Sequence, residues 1–528
     1  MNRGLWMFAA IAVFVVAVSL VYAAEPTVVS TRDGRMTGIT DSLGVTSYKG
    51  IPFAAPPVGD LRWRPPQPTV HWDGVRKADH FGDACVQKVG RSRPPWTEPF
   101  MEQGSTGEDC LYLNVWTGAK TASERRPVMV WFHGGGFTEG SASIAVYDGT
   151  QLAKRGVVLV GVNYRLGVLG FLTYPALSKE SEHGVSGNYG LLDQIAALRW
   201  VQNNIAAFGG DPARVTIFGQ SAGAGAVYDL MQSPLAKGLF VRVISESGPG
   251  LIGRVLLGGT TTYAAREQLG VSWAESKGAY SLADLRALPA AAFEVAGGPG
   301  SAPAPTSPVP DGWVLPATGA APPTDQVPLL LGMVADDIGI GGGFGPPQKP
   351  SVASYQDAAK KKYGSDADNF LKLYPVATDD RAPAMQKTAA RDQARVSIDL
   401  WSADQLKLSG KIYTYYFDRT LPWPEHPEFG AFHTSEVPYV FGTIDTTGHP
   451  LEQVDHQVSD AVSSYWINFA ASGNPNGKSL ANWPAYSPDA HTTMELGARM
   501  GPMPDTGTPE RLAFQIKYLE QPRQPSGR

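Results

Sequence analysis

The sequence predicts an α/β fold, a mostly parallel central sheet flanked by helices with long loop insertions, in one unit spanning residues 24–528. Three observations carry that expectation. Six short apolar runs, at 128–132, 157–162, 215–218, 241–244, 329–334 and 412–417, read as strands buried on both faces, the habit of parallel sheets. Helical patterns lie between some of them, notably 193–208 after the turn signal Ser186-Gly-Asn188, and strand-helix alternation builds parallel sheets. Each chemically suggestive residue follows one of the runs, where such sheets bind ligands. Length alone suggests three or four domains of about 150 residues. The chemistry, however, draws on the first, middle and last thirds of the chain, so a single unit explains more.

In chain order, the N-terminus carries Asn2 and Arg3, an apolar run from Leu5 to Val21, and the small residues Ala23 and Ala24. That pattern predicts a signal peptide over residues 1–23, cleaved after Ala23 or Ala24, and a secreted or periplasmic protein. An uncleaved anchor is the alternative, and it exports the chain equally. Cys85 and Cys110 are the two cysteines, and an even count in an exported chain favours a bridge between them. No His-Glu-x-x-His or paired ligand spacing occurs, so neither a metal nor a cofactor is expected. With 43% hydrophobic and 18% charged residues, the composition is that of a soluble globular protein. A net charge of −5 without a long basic run predicts no nucleic-acid partner, and no membrane partner unless the N-terminal segment stays uncleaved. Pro and Gly concentrate at 297–328 and 339–347, which read as ordered surface loops near the site, held by the strand-like run between them. Gly339-Ile-Gly-Gly-Gly343 lacks a following Lys-Ser/Thr and is not read as a phosphate loop.

The run 215–218 leads into Gly219-Gln-Ser221-Ala-Gly223 and then a helix-compatible stretch, the layout of a nucleophile elbow. Gly219 and Gly223 remove the Cβ atoms that a tight turn would force together. A serine hydroxyl needs an imidazole to take its proton and a carboxylate to orient that imidazole. In α/β hydrolases these follow in the order Ser, acid, His. Asp336 and Asp337, directly after the run 329–334, are both candidates for the acid. His426, His433, His449, His456 and His491 remain for the base, with His433 favoured by its loop after the run 412–417. His133-Gly-Gly-Gly-Phe137 follows the run 128–132 and, with the amide of Ala222, predicts an oxyanion hole.

Together with Tyr48-Lys-Gly-Ile-Pro-Phe53, Glu108-Asp-Cys-Leu-Tyr-Leu-Asn114, Asn163-Tyr-Arg165, Gly187-Asn-Tyr-Gly-Leu-Leu-Asp193, Phe208-Gly-Gly-Asp-Pro212, Ser245-Glu-Ser-Gly248 and Gly430-Ala-Phe-His-Thr-Ser-Glu436, these motifs carry a resemblance. The chain resembles the type-B carboxylesterases, the cholinesterase-like branch of the α/β hydrolases, over nearly all of its mature length. The resemblance implies the α/β-hydrolase fold and a serine carboxylesterase that hydrolyses carboxylic esters through an acyl-enzyme on Ser221, without a cofactor. It implies His433 as base, a Cys85–Cys110 disulfide, and oxyanion donors on Gly135, Gly136 and Ala222. It also makes Arg62 with Glu108, and Arg165 with Asp193, structural ion pairs. Two positions depart from the family pattern. Asp336-Asp337-Ile338 stands where Asp-Glu-Gly is usual, which puts Asp337 in the place of the acid with one methylene less of reach, for which the backbone must compensate. In the disulfide loop, Phe100 stands where cholinesterases place a cation-binding tryptophan, and Trp96 is nearby, so choline esters are not expected substrates. Trp423 and Phe429, in the loop before His433, suggest a small apolar or aromatic ester. The rival readings are a non-catalytic binding or adhesion protein on the same scaffold, and a lipase or amide-cleaving hydrolase with the same triad.

Overall fold

Strands with every side chain buried can exist only in the middle of a covered sheet, and that is where Val158–Val162, Leu329–Val334 and Ile412–Phe417 lie. The computed structural model describes residues 28–90, 92–249, 262–294, 303–317, 326–338 and 350–521. Its main sheet has 11 strands in the order Met500–Pro504, Thr492–Leu496, Ile412–Phe417, Leu329–Val334, Arg242–Glu246, Gly210–Gln220, Arg126–Phe132, Val158–Val162, Tyr112–Thr117, Thr46–Pro52 and Ile39–Thr40. From Thr492–Leu496 to Val158–Val162 every neighbouring pair is parallel, and both flanks are antiparallel. All six apolar runs are strands of the parallel portion.

The antiparallel flanks were not legible as apolar runs, for a physical reason. Tyr112–Thr117 buries the polar Asn114 and Thr117, whose side chains bond to distant main chain: Asn114 Oδ1 accepts from Gly50 N at 2.9 Å, and Thr117 Oγ1 donates to Phe208 O at 2.9 Å. The expected helix at 193–208 is an α-helix over Tyr189–Asn204 followed by a 3₁₀ turn over Ile205–Phe208. It begins earlier because Asn188, in the left-handed region at φ 55°, turns the chain directly into it.

Register aligns the carboxyl ends of the central strands. Gly219 lies level with Phe132 and Ser245, Glu246 with Gly332, and Val334 with Phe417. The segments that follow, beginning at His133, Ser221, Ser247 and Ala335, therefore leave the sheet along one edge. Beneath them one continuous apolar core runs from Val29 to Leu496, and a smaller aromatic cluster of Tyr355, Tyr363, Phe370, Tyr374 and Phe514 lies apart from it.

Cys85 and Cys110 form a disulfide with Cα atoms 5.0 Å apart. Closing a loop of 25 residues stabilises the fold by about 3.5 kcal/mol in the chain-entropy account. Replacing both cysteines with serine is accordingly expected to lower the urea midpoint by the equivalent of roughly 2–5 kcal/mol. An unchanged midpoint would show that the bridge does not restrain the unfolded chain.

The proposed signal segment, residues 1–23, and the loop 339–347 lie outside the described residues. Of the loop 297–328, residues 303–317 form neither helix nor strand and are nonetheless held in place. Asn188 makes two bonds to the backbone of Val309, the Asp311 carboxylate accepts from three successive amides, and Val314 is fully buried. Among the described residues, no helix is long and apolar enough to cross a membrane.

Candidate active site

The strand Gly210–Gln220 ends one residue before Ser221, and the helix Ala222–Gln232 begins one residue after it. Reversing direction over one residue forces Ser221 to φ 59°, ψ −121°, a conformation costing about 1–3 kcal/mol for a residue with a side chain. The flanking glycines make the turn possible. A Cβ on Gly223 would sit 2.0 Å from Phe132 O, and one on Gly219 would sit 2.6 Å from both Phe132 O and the carbonyl of Gly223. All of these obstacles are backbone atoms, which cannot swing aside. The turn is tied to the neighbouring strand by Ser221 N donating to Glu246 O at 2.8 Å.

The glycine run passes directly against this turn, since a Cβ on Gly134 would lie 3.1 Å from that of Ser221. Gly135 and Gly136 adopt φ 97° and 62°, the left-handed region that glycine enters without strain. His133, which starts the run, is buried and stacks on Tyr164 with ring centroids 4.5 Å apart, while Tyr164 Oη donates to His133 O at 2.8 Å. Burial pushes the His133 imidazole down to about 4, so it is a neutral structural ring at physiological pH. Among the described residues, no hydrogen bond engages the N–H of Gly135, Gly136 or Ala222. As the first residue of its helix, Ala222 has no intrahelical acceptor to serve.

Asp337 and His433, 96 residues apart in sequence, meet with Asp337 Oδ1 2.5 Å from His433 Nδ1. Asp337 is 2% exposed, and its oxygens also accept from Val334 N at 3.3 Å and Ile338 N at 2.8 Å, which orients the carboxylate. Gln220 Nε2 lies 3.2 and 3.3 Å from the two ring nitrogens of His433. A group equidistant from both nitrogens is aligned with neither lone pair, so the residue before Ser221 packs against the imidazole. Of the other four histidines, His426 faces Glu428, His449 packs on Trp423, His456 lies 3.9 Å from Asp445, and His491 pairs with Asp399.

The two adjacent aspartates do different things. Asp336 Oδ1 contacts Arg391 Nη2 at 2.7 Å and Lys387 Nζ at 2.9 Å, and its Oδ2 accepts from Ala431 N at 3.1 Å. A backbone bridge joins Asp336 to Phe432, with Asp336 N donating to Ala431 O at 2.8 Å. The acid turn is thereby stitched to the residues just before His433. Asp337, the next residue, meets the His433 ring from this turn.

Other side chains surround these residues, and the sequence had named Trp96 and Phe100 without giving them these contacts. Trp96 in the disulfide loop donates from Nε1 to His433 O at 3.1 Å and to Thr434 Oγ1 at 3.0 Å, while the Arg93 guanidinium lies 5.5 Å from its ring centre. Phe100 packs edge-on to Phe432 at 5.7 Å. Behind the site, Glu246 and Glu436 are almost fully buried. Trp466 Nε1 donates to Glu246 at 2.7 Å, and Ser247 Oγ to Glu436 at 3.3 Å. Burial raises the carboxyl of Glu246, and burial with the neighbouring charges of Glu246 and Asp337 raises that of Glu436. The sequence signal for Glu246 was the motif Ser245-Glu-Ser-Gly248 at the carboxyl end of the strand Arg242–Glu246. The pairs Arg62–Glu108 and Arg165–Asp193 both form, the latter bidentate at 2.7 Å and buried. Trp423, Phe429, His426 and His449 make one ring cluster, with Trp423 5.3 Å from Phe429.

A model of the carboxylesterase family matches residues 25–515. The chain is 37% identical over 503 residues to fumonisin B1 esterase of Sphingopyxis macrogoltabida, covering 89% of this chain and 86% of that protein. It is 34% identical over 497 residues to para-nitrobenzyl esterase of Bacillus subtilis (strain 168), covering 90% of this chain and 95% of that protein. A solved structure of a PNB esterase is similar with a TM-score of 0.70 at 30% identity, covering 94% of this chain and 100% of that one.

Proposed function

Because the chain belongs to the carboxylesterase family, has the α/β-hydrolase fold and is a carboxylic ester hydrolase, we propose that it works through an acyl-enzyme on Ser221. In this reading the Ser221 Oγ attacks the ester carbonyl carbon as its proton passes to His433 Nε2. Asp337 holds the Nδ1 proton and balances the imidazolium charge. The carbonyl oxygen becomes an oxyanion received by the amides of Gly135, Gly136 and Ala222, each typically worth ~100 to 1,000-fold in rate. Collapse expels the alcohol, which takes the proton from His433. A water then repeats the sequence on the acyl-enzyme and releases the acid. Ester and water balance the reaction without a cofactor. Protonated imidazole cannot act as base, so the rate falls on the acid side of the profile.

The observation that carries this reading is the 2.5 Å contact of Asp337 with His433, on a ring that packs against the residue preceding a strained Ser221. A binding or adhesion relative has no use for that strain or for the unengaged amides. The substrate class we favour is a small ester with an apolar or aromatic part. It is supported by the Trp423–Phe429 cluster on the loop leading to His433 and by Phe100 against Phe432. Trp96 already faces its own arginine, which supports no role for it in choline recognition. Export is supported by the N-terminal apolar run and the Cys85–Cys110 disulfide.

A fluorophosphonate probe tests the nucleophile. It is expected to add one phosphonyl group to the tryptic peptide containing Ser221 and none to the Ser221→Ala protein. Absence of labelling, or labelling on another residue, would remove Ser221 from this role.

A further inference from the structure

Away from Ser221, three ligand-type side chains converge from separate elements. Asp399 projects from the helix Ala382–Ser409, His491 immediately precedes the strand Thr492–Leu496, and Asp505 immediately follows the edge strand Met500–Pro504. One donor atom from each lies within 4.8 Å of the other two. Asp399 is 4% and Asp505 3% exposed, and each keeps a buried carboxylate oxygen, Oδ1 and Oδ2 respectively, without a hydrogen-bond partner. Both line a small cavity with Arg395, Thr414, Tyr415 and Tyr486. The one cation in that lining, Arg395, makes no hydrogen bond to either unmet carboxylate oxygen. Arg395 Nη2 bonds Asp392 Oδ1 at 2.7 Å, and its Nε bonds the main-chain oxygen of Asp505 at 2.7 Å. His491 Nδ1 is 2.9 Å from Asp399 Oδ2, and Asp505 N donates to His491 O at 3.0 Å, which holds the imidazole over the cluster.

Two buried carboxylates with unmet oxygens are costly unless a positive charge meets them. We propose that Asp399, His491 and Asp505 bind one divalent metal ion of the Zn²⁺ or Mn²⁺ class, pinning the edge hairpin 492–504 to the helix Ala382–Ser409. One imidazole and two carboxylates form a mixed donor set suited to those ions, whereas Ca²⁺ takes six to eight oxygens. Without the ion, burial and the neighbouring Asp399 charge push the Asp505 carboxyl up to about 8, the alternative in which the acid simply keeps a proton. No such expectation arose from sequence, because metal signatures rest on short ligand spacings, and these donors come from a helix and the two ends of a distant hairpin. The site supplies stability, and none of its residues belongs to the ester-cleaving group.

The test uses the full chain, stripped with a chelator and titrated with ZnCl₂, MnCl₂ or CaCl₂, reading bound metal by elemental analysis and unfolding by thermal melt. The expected result is one equivalent of Zn²⁺ or Mn²⁺ per chain, with Tm rising by at least about 2 °C at a hundredfold excess over Kd. Asp505→Asn and His491→Gln should each lose that equivalent and the Tm response, with p-nitrophenyl ester hydrolysis unchanged. A wild-type chain that binds neither ion, binds only Ca²⁺, or shares its bound equivalent with both variants overturns the proposal. So does an Asp505→Asn protein more stable than a metal-indifferent wild type, the mark of a protonated acid pair. The wild-type titration decides the matter even if a variant fails to fold.

Discussion

Ser221→Ala is expected to lower kcat for a short p-nitrophenyl ester by a factor on the order of 10⁶, leaving only the catalysis that binding and the oxyanion amides supply. The loss is this large because the variant has no atom to form the acyl bond, so His433, Asp337 and the glycine run have nothing to act on. The fold should persist. Alanine has the same Cβ as serine, the elbow is held by Ser221 N to Glu246 O, a backbone bond that alanine retains, and the obstacles around Gly219 and Gly223 are unchanged. Steady-state kinetics beside a thermal melt would check both halves. A variant that keeps more than about a hundredth of the wild-type rate would mean that hydrolysis starts elsewhere.

Asp337→Asn is expected to reduce kcat by about 10⁴-fold with little change in KM, because an amide facing Nδ1 fixes the wrong tautomer and cannot balance the imidazolium. The neighbouring Asp336→Asn is the informative control. Its carboxylate meets Lys387 and Arg391 and accepts from the main chain before His433, so its loss should cost about 1–3 kcal/mol of stability while kcat stays within about tenfold. Paired kinetics and urea unfolding on the two variants separate the roles. A large kcat loss in Asp336→Asn with a mild one in Asp337→Asn would reverse the assignment. Adjacent residues with identical side chains thus offer a comparison in which chemistry is held constant and only position differs.

What could be read from residues alone was whatever local chain geometry encodes. Six apolar runs became six of the seven strands of the parallel portion, because burial on both faces leaves a mark within four to six residues. The Gly-x-Ser-x-Gly stretch was legible because the turn and its glycines are neighbours in sequence, and the glycine run because it adjoins a strand end. Position and pattern left both aspartates open and raised His433 above the other four histidines without deciding; the family resemblance selected Asp337 and His433. Tertiary structure alone decided the pairings. The Asp336–Phe432 bridge aims one carboxylate at His433, Trp96 reaches that loop from the disulfide segment, and Asp399, His491 and Asp505 converge from three elements. Sequence specifies backbone preference and burial over a few residues; a contact across 96 residues depends on how strands stack and loops close, and no local pattern records it.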